Sequence, residues 1–431
     1  MAWLSNFPDP LEVPSGRRLD GRVEIPPSKS ITHRMLVLAL LSGQALEIER
    51  PLLADDTRRM LAALGALGWS VRADVAAVVL RPPTRPVEAA AIDCGGAGTM
   101  MRLLCGALAT IPGRFRLDGA PRLRQRPMAA LVEALRGLGA QIEYLGEEGF
   151  APLEITGVQL RGGEIELEAG ESSQFVSALL LAASRAAGPV EVHARGLVSA
   201  PYVDLTREAL GRFGVSVEVK GSRFRVEPGL RAVASVSIEG DYSAAAYPAA
   251  GAALSGGRVV LDGLEKDSAQ GDRALLQLLE TMGAEVEWND GSITVTGTGI
   301  LLALDQDLSR MPDQVPTLAA LAPFARGTTR MRNVSHLRLK ESDRLEVMRR
   351  ELERVGARVS LENDDLSIHG CWATVDPPTT PVTIDPEADH RIAMSMALVA
   401  LRRPGITIGD PAVVEKSYPG FWRDLDLLMA G

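Results

Sequence analysis

The feature of this sequence that most constrains its fold is a sixfold repeat. An amphipathic segment ending in Leu-x-x-Gly, or a close variant, recurs along the 431 residues and is followed each time by a strand-like segment. Each closing glycine is typical of a left-handed C-cap that ends a helix before a strand begins. Six copies of one unit therefore fill the chain. The closing glycines stand 69 to 75 residues apart, at Gly68, Gly139, Gly214, Gly283, Gly356 and Gly431.

A second kind of helix alternates with the first. It is apolar on nearly every side, as in SKSITHRMLVLAL and SSQFVSALLLAAS, and this pattern is typical of a buried helix. The Leu-x-x-Gly helices carry a charged face and are expected to lie outside. Between the helices the sequence alternates like strands, for example in GEIELEAG and SITVTGTG. The sequence thus predicts an α/β protein whose unit is βαβα with further strands.

The repeat also predicts the domain organisation. Three units are enough for one hydrophobic core, so six units indicate two domains. Because the sixth unit ends at Gly431 without its closing strand, the segment up to about Pro26 is expected to complete it. The predicted domains are residues 27–239, and residues 1–26 together with 240–431. Two domains joined by two crossing strands are suited to closing on a substrate.

Composition and charge exclude several classes of function. The net charge of −9 provides no overall positive field for nucleic acid or an anionic membrane. The longest apolar runs are far shorter than a membrane span, and the first residues contain no apolar signal-peptide region. The 3 cysteines show no metal-ligand spacing and cannot form a disulfide framework. We therefore expect a cytoplasmic protein without structural zinc.

Chemically capable residues collect at the predicted helix starts. Of 46 basic residues only five are lysines, and three of these, Lys29, Lys340 and Lys416, stand at such starts. A helix N-terminus offers free N–H groups and a partial positive charge, which favours anions. Arginine binds planar carboxylate and phosphate through two hydrogen bonds, whereas lysine suits a point contact or a proton transfer. The predicted ligand is therefore small and multiply anionic.

Several of these residues also have a simpler structural explanation. Ser172, Thr99 and Asp313 have the residue types of helix caps, the last of them for a helix over residues 315–325. Cys105 is expected in the core rather than as a nucleophile. Capping does not require a lysine or arginine each time, so the recurrence of basic residues at equivalent points of the repeats favours a binding site.

Nine segments, in chain order, carry a resemblance to a known family. Together they resemble the 5-enolpyruvylshikimate-3-phosphate synthase family, and the resemblance extends from Lys29 to Lys416. The fold of that family is a two-domain inside-out α/β barrel with three βαβαββ units per domain, in agreement with the six repeats counted above. The segments are PPSKSITHR, GGAGTMMR, RQRP, ESSQF, LVSAPYVD, MPDQVPTLA, LKESDRL, EADHRIAMS and VEKSYPGF.

The resemblance implies a reaction. The enolpyruvyl (1-carboxyvinyl) group of phosphoenolpyruvate is transferred to the 5-hydroxyl of shikimate-3-phosphate, with release of phosphate, in the shikimate pathway to chorismate and aromatic amino acids. No metal and no coenzyme are implied. The expected partners are these two small anionic substrates, with no nucleic acid and no membrane, and the protein is expected to be a monomer.

The resemblance also implies the residues of the site. Asp313 is the candidate base for the 5-hydroxyl, and the nearby cations are expected to lower its pKa and keep it ionised. Glu341 and Lys29 remain alternatives for the acid that protonates the enol ether. Shikimate-3-phosphate is expected to contact Ser30, Arg34, Ser172, Ser173, Gln174, Ser199, Tyr202, Asp313 and Lys340. Phosphoenolpyruvate is expected to contact Lys29, Gly98, Arg126, Gln174, Arg344, His390, Arg391 and Lys416.

Four positions depart from the family pattern. Gly96 and His336 stand where the family often has asparagine, Ala200 where lysine is common, and Leu103 where proline is common. These departures bear on phosphate contacts and glyphosate sensitivity and leave the core chemistry intact.

Three alternative functions fit the sequence less well. A sister enolpyruvyl transferase that acts on UDP-N-acetylglucosamine uses a loop cysteine as its acid, and residues 116–126 contain none. A non-catalytic binding protein on the same scaffold would not need Asp313 and Glu341, and both are present. The acidic charge and the 4% of aromatic residues disfavour an RNA-processing relative of the repeat.

Overall fold

The chain folds into two compact units. The structure is a computed structural model that describes residues 7–430. The middle unit is Pro27–Ile238, and the terminal unit combines Met1–Pro26 with Glu239–Gly431. The chain thus returns to the terminal unit after Ile238, one residue earlier than the predicted boundary after residue 239. Gly431, the closing glycine of the last predicted repeat, lies outside the described residues.

Strands and short helices alternate through the middle unit. Before it come β1 (Leu11–Glu12) and β2 (Gly21–Glu24) of the terminal unit. The strands of the middle unit are β3 (Leu46–Glu49), β4 (Ser70–Ala73), β5 (Ala77–Arg81), β6 (Ala89–Asp93), β7 (Gly113–Asp118), β8 (Gln141–Tyr144), β9 (Leu153–Gly157), β10 (Gly163–Glu168), β11 (Val190–Arg195), β12 (Val217–Lys220), β13 (Arg223–Val226) and β14 (Ser235–Ser237). Its helices are α1 (Lys29–Ser42), α2 (Asp55–Ala66), α3 (Gly98–Leu108), α4 (Pro121–Arg124), α5 (Ala129–Gly137), α6 (Ser173–Ala183) and α7 (Pro201–Arg212).

The terminal unit continues the same alternation. Its remaining strands are β15 (Arg258–Asp262), β16 (Glu285–Asn289), β17 (Ser292–Thr296), β18 (Leu301–Leu302), β19 (Asp305–Asp307), β20 (Ala325–Arg326), β21 (Thr328–Arg332), β22 (Arg358–Glu362), β23 (Asp365–His369), β24 (Val382–Ile384) and β25 (Ile406–Ile408). Its α-helices are α8 (Tyr242–Ser255), α9 (Leu275–Thr281), α10 (Val315–Leu321), α11 (Arg344–Arg354), α12 (His390–Arg402) and α13 (Phe421–Ala430). Short 3₁₀ turns cover Gly271–Ala274, Pro312–Gln314, Ala322–Phe324, Ser335–Leu339 and Pro411–Lys416.

Five four-stranded sheets of the described chain share one topology. In each, a parallel pair of strands is extended by an antiparallel hairpin. The orders are β14-β3-β5-β4, β6-β7-β9-β8 and β10-β11-β13-β12 in the middle unit, and β2-β15-β17-β16 and β19-β21-β23-β22 in the terminal unit. A further sheet has the order β1-β25-β24, in which Leu11 pairs with Ile408. The N-terminal segment therefore supplies a strand to the last sheet.

The two predicted kinds of helix differ in burial as their sequences indicate. In the middle unit α1, α3 and α6 are buried over nearly their whole length, and α3 packs against both of the others. In the terminal unit α8, α10 and α12 are buried and contact one another. The Leu-x-x-Gly helices, such as α2 and α11, bury one face only. Between residues 7 and 430 no helix combines the length and the apolar character that crossing a membrane requires.

The glycines that close the repeats have the backbone conformation that the sequence predicts. A left-handed φ favours glycine because a side chain would be strained there. The φ angles are +85°, +97°, +77°, +108° and +95° at Gly68, Gly139, Gly214, Gly283 and Gly356.

The helix predicted over residues 315–325 is shorter than expected. It ends at Leu321, and a 3₁₀ turn continues it to Phe324. Pro323 accounts for the change, because the residue before a proline is disfavoured in α-helical conformation and proline has no N–H to donate.

Candidate functional site

Lys29 opens helix α1 in the middle unit, as predicted. Its Nζ donates a hydrogen bond of 3.2 Å to Oδ2 of Asp56, which is buried in the first turn of α2. The side chain of Lys29 is only 13% exposed, so this contact restricts where the ammonium can point. Asp56 was not predicted from the sequence, because its partner lies on another helix.

Arg34 ties three helices of the middle unit together. Its Nε donates to Thr206 at 2.8 Å, Nη1 donates to the carbonyl of Ser30 at 2.8 Å, and Nη2 donates to the carbonyl of Tyr202 at 2.7 Å and to Ser177. Burial lowers the pKa of Arg34 to about 10, which leaves the guanidinium charged at neutral pH. Arg34 therefore positions Ser30 and Tyr202, two residues predicted to contact the same ligand.

Gln174 is held by polar contacts on each side of its amide. Arg102 Nη1 donates to its Oε1 at 2.7 Å, and its Nε2 donates to Thr99 Oγ1 at 2.9 Å. Ser172 is the N-cap of α6, since its Oγ accepts a hydrogen bond from the backbone N–H of Gln174. Capping therefore accounts for one contact of Ser172. Thr99 is not a cap, because α3 begins at Gly98 and Thr99 lies in its first turn.

Arg126 packs across the start of α3. A Cβ atom at Gly98 would lie 2.7 Å from Arg126 Cζ, closer than real contacts allow. Glycine is therefore required at this position for the buried guanidinium to lie where it does. The structure thus brings together two residues that the sequence predicted for one ligand.

Ser199 combines two features that are typical of functional positions. Its φ is +52°, a left-handed conformation that is unusual for a residue other than glycine. Its side chain is buried, and Oγ has no hydrogen-bond partner among residues 7–430. A buried hydroxyl without a partner is costly unless something else binds it.

An ion-pair cluster occupies the terminal unit. We define it as Asp313, Glu341, Arg344, Asp389 and Arg391. Arg344 is 2% exposed and donates to Asp389 at 2.7 Å, to Glu341 at 2.8 Å and to Asp313 at 2.9 Å. Arg391 donates to the other oxygen of Asp313 at 2.8 Å. Two buried arginines therefore bind three carboxylates, and Arg344 contacts all three.

The surroundings of Asp313 keep it ionised. Burial alone would raise its pKa, but the charges of Arg391, Arg344 and Lys340 outweigh burial and hold the pKa well below its usual range. This confirms the predicted effect of the nearby cations. The cap interpretation of Asp313 is wrong, because its two oxygens bind guanidinium groups and α10 has no side-chain cap.

The other predicted residues of the terminal unit lie at helix and turn ends. His390 is buried at the start of α12, with Nδ1 3.8 Å from Asp389 Oδ1. Lys416 ends the turn Pro411–Lys416, which packs against α12. Lys340 follows the turn Ser335–Leu339, and α11 begins only at Arg344. The prediction that Lys340 and Lys416 stand at helix starts is therefore wrong, because short turns precede α11 and α13.

Burial sets the ionisation of His336 and of Cys105. His336 is buried, neither ring nitrogen has a hydrogen-bond partner in the described chain, and burial lowers its pKa to about 4, so it is neutral at pH 7. Burial raises the pKa of the Cys105 thiol to about 12, which confirms the core interpretation. Within residues 7–430 no group of three His, Cys, Asp or Glu side chains is placed to hold a metal ion.

Comparison with known proteins identifies the family. Residues 13–425 match the sequence profile described as EPSP synthase (3-phosphoshikimate 1-carboxyvinyltransferase). The chain belongs to the EPSP synthase family. The family resemblance inferred from the nine sequence segments is thereby confirmed, and so is the assignment of the chain to a transferase.

Relatives of the EPSP synthase family match nearly the whole chain. A 3-phosphoshikimate 1-carboxyvinyltransferase of Syntrophobacter fumaroxidans is 42% identical over 417 residues, which cover 95% of this chain and 97% of the relative. A protein of the same name from Shewanella halifaxensis is 41% identical over 423 residues, 96% of this chain and 97% of its own. The solved structure of EPSP synthase from Acinetobacter baumannii superposes with a TM-score of 0.78 at 28% identity, covering 97% of both chains. The mixed α/β fold is therefore that of the EPSP synthases.

Proposed function

We propose that this member of the EPSP synthase family transfers the enolpyruvyl group of phosphoenolpyruvate to the 5-hydroxyl of shikimate-3-phosphate and releases phosphate, in the shikimate pathway. The observation that carries the proposal is the ion-pair cluster of the terminal unit. There a carboxylate suited to act as base, Asp313, and a second carboxylate, Glu341, bind the same buried guanidinium of Arg344.

Each substrate carries a phosphate and a carboxylate, and the predicted site matches them with cations. In the middle unit Asp56 binds Lys29, and hydrogen bonds within and between helices hold Arg34. The absence of a side chain at Gly98 leaves room for Arg126. The hydroxyl of Ser199 is a donor suited to a phosphate oxygen. We assign each substrate to the residues that the family resemblance implies for it.

In the terminal unit two of the cations that would bind phosphoenolpyruvate already bind carboxylates. Arg344 and Arg391 both bind Asp313, so an arriving carboxylate competes with Asp313 for their donors. Displacement of Asp313 from either arginine would raise its pKa, because a compensating positive charge is lost. Binding of the anionic substrate thereby makes Asp313 a stronger base for the 5-hydroxyl proton.

The chemistry then needs a base and an acid. Asp313 takes the proton of the 5-hydroxyl while the hydroxyl oxygen attacks C2 of phosphoenolpyruvate. Glu341 or Lys29 delivers a proton to C3. The group that gave the proton then takes one back from C3 as phosphate leaves C2, which restores the double bond. The contact with Asp56 holds the Lys29 ammonium in a fixed position, which suits it to proton transfer.

Replacement of Asp313 by asparagine tests this assignment. Asp313→Asn removes the proton acceptor, so kcat for phosphate release should fall by about 10²-fold or more. Asparagine keeps one acceptor oxygen but turns an amide donor toward a guanidinium, so we also expect a stability loss of about 1–3 kcal/mol. Asp305→Asn is the matched control, because Asp305 is an exposed strand residue of the same unit and the substitution removes one negative charge. Normal kcat in Asp313→Asn would contradict the proposed role.

We also propose the finer architecture and the setting that the sequence predicts. Each unit would form an inside-out α/β barrel of three repeats, which is supported by its equivalent sheets and its three buried helices. The protein would work as a monomer in the cytoplasm, without a metal or coenzyme and without nucleic acid or membrane. Light scattering in solution should then give the mass of one chain, 46.0 kDa.

A further inference from the structure

Asp272 lies in the turn Gly271–Ala274 of the terminal unit and is 4% exposed. Its Oδ2 accepts a hydrogen bond of 2.8 Å from Nε2 of Gln314 and another from Oγ of Ser243 on α8. Gln314 is fully buried and directly follows Asp313 in the turn Pro312–Gln314. A single carboxylate oxygen therefore fixes the turn that presents Asp313.

The charge of Asp272 also acts on Asp313. Burial raises the pKa of Asp272 to about 6, and the negative charge of Asp313 contributes to the rise, while Arg391 at the start of α12 opposes it. Electrostatic interaction is reciprocal, so an ionised Asp272 raises the pKa of Asp313 in turn. The uncharged Ser243 and Gln314 donate hydrogen bonds that favour the ionised form of Asp272.

This effect matters because Asp313 is a weak base in its resting environment. Two arginines hold its pKa well below the usual range, and a carboxylate with a low pKa accepts a proton poorly. Glu341 already opposes the arginines, and a further negative charge in the same low-dielectric region offsets them more. Asp272 supplies such a charge, and the hydrogen bonds to its Oδ2 come from the uncharged side chains of Gln314 and Ser243.

We propose that Asp272 is a positioning residue for Asp313: it anchors the turn of Asp313 through Gln314 and, as a carboxylate, increases the basicity of Asp313. The proposal rests on the proposed function of Asp313 as the base. It assigns to Asp272 no contact with either substrate.

Combining substitutions at both aspartates tests the proposal. Asp272→Asn keeps an acceptor for Gln314 and Ser243 but removes the charge, so kcat should fall about 3- to 10-fold with little change in KM. In the Asp313→Asn background the same substitution should change kcat less than twofold, because its effect passes through Asp313. Glu351→Gln is the control, since Glu351 is fully buried in the same unit but lies about 10 Å, two helical turns, from Arg344 along α11. Its kcat should match that of the parent.

The pH profile of kcat provides a readout that a purely structural role would not move. If the ionised form of Asp272 supports turnover, kcat falls as the pH drops through about 6, the pKa of Asp272. That acidic limb should disappear in Asp272→Asn. Ser243→Ala removes a hydrogen bond that stabilises the carboxylate, so it should move the limb to higher pH. If Asp272→Asn does not fold, the shift of the acidic limb in Ser243→Ala tests the proposal instead.

The outcomes separate this inference from the proposed function. Suppose that Asp313→Asn lowers kcat but Asp272→Asn leaves kcat and the acidic limb unchanged. The positioning role proposed for Asp272 is then wrong, and the base role proposed for Asp313 is retained. Equal losses on Asp272→Asn in both backgrounds would show a structural effect only and would also overturn the inference. If Asp313→Asn keeps full kcat, the assignment of Asp313 fails and the inference fails with it.

Discussion

At the scale of single residues, substitution of Ser199 should change substrate binding without changing the stability of the protein. Its hydroxyl has no hydrogen-bond partner among the described residues, so Ser199→Ala should leave Tm unchanged. If the hydroxyl binds the phosphate of shikimate-3-phosphate, the loss of that charge-assisted hydrogen bond should raise KM about tenfold or more, with kcat little changed. Steady-state kinetics and thermal unfolding of the same preparation check both parts.

A matched serine in the same unit controls the Ser199 experiment. Ser184 is also buried, but its hydroxyl donates to the carbonyl of Leu181 in helix α6. Ser184→Ala should leave KM for both substrates at the parental value. An unchanged KM in Ser199→Ala would remove Ser199 from the proposed shikimate-3-phosphate site.

The sequence predicted the residues of the site better than it predicted their partners. Lys29 and Arg391 could be placed at helix starts because the buried helices and their motifs are local patterns. Asp56 and Asp272 were missed, because the residues that they contact are 27 and 42 positions away along the chain. Asp389 lies in the segment EADHR directly before α12, and this position is a sequence signal for a helix cap. Its second contact, with Arg344, has no such local signal.

At the scale of elements, the glycines that close the repeats should be sensitive to substitution. Gly68→Ala should lower the free energy of unfolding by about 1 kcal/mol or more, because its φ is +85° and a Cβ would meet Pro83 at 3.3 Å and Val87 at 3.0 Å. Gly65→Ala, three residues earlier in α2, meets nothing within 4 Å and should stabilise the protein by about 0.5–1 kcal/mol. Urea unfolding of both variants compares them; equal effects would contradict the C-cap account.

The segment at the second crossing between the units should respond to pH. Burial raises the pKa of Glu239 to about 7, and repulsion from Glu265 adds to the rise, although Ser268 and Gln270 donate hydrogen bonds to it. Because the folded state holds this proton more tightly than the unfolded state, stability falls as the pH rises from about 4.5 to about 7.

The variant Glu239→Gln isolates this effect. The amide never ionises, so its Tm relative to the parent should be higher at pH 8 than at pH 5, by a few degrees. Thermal unfolding of both proteins at the two pH values checks this. A Tm difference that is the same at pH 5 and pH 8 would contradict a raised pKa at Glu239.

Elements were predicted well where the pattern is long and periodic. The buried helices and the closing glycines follow from local sequence alone. The short strands β18 and β20, each of two residues, were not predicted, because two residues carry no periodic signal. The early end of α10 follows from Pro323, a local signal inside an otherwise apolar segment.

At the scale of the whole molecule, the residues that the family resemblance implies for shikimate-3-phosphate belong partly to each unit, and the chain passes from one unit to the other at Pro26–Pro27 and Ile238–Glu239. We therefore expect saturating shikimate-3-phosphate to reduce the radius of gyration measured by small-angle scattering, as the units close on the ligand. Shikimate without its phosphate is the control, because it lacks the charge that the cations would bind. Identical scattering with and without shikimate-3-phosphate would contradict closure.

The choice of acceptor tests the central claim most directly. Phosphate release from phosphoenolpyruvate should be measured with shikimate-3-phosphate and, in parallel, with UDP-N-acetylglucosamine as the acceptor. We predict multiple turnovers with shikimate-3-phosphate and release at the background rate with UDP-N-acetylglucosamine. Turnover with the nucleotide sugar, or none with shikimate-3-phosphate from a folded protein, would contradict the proposed function.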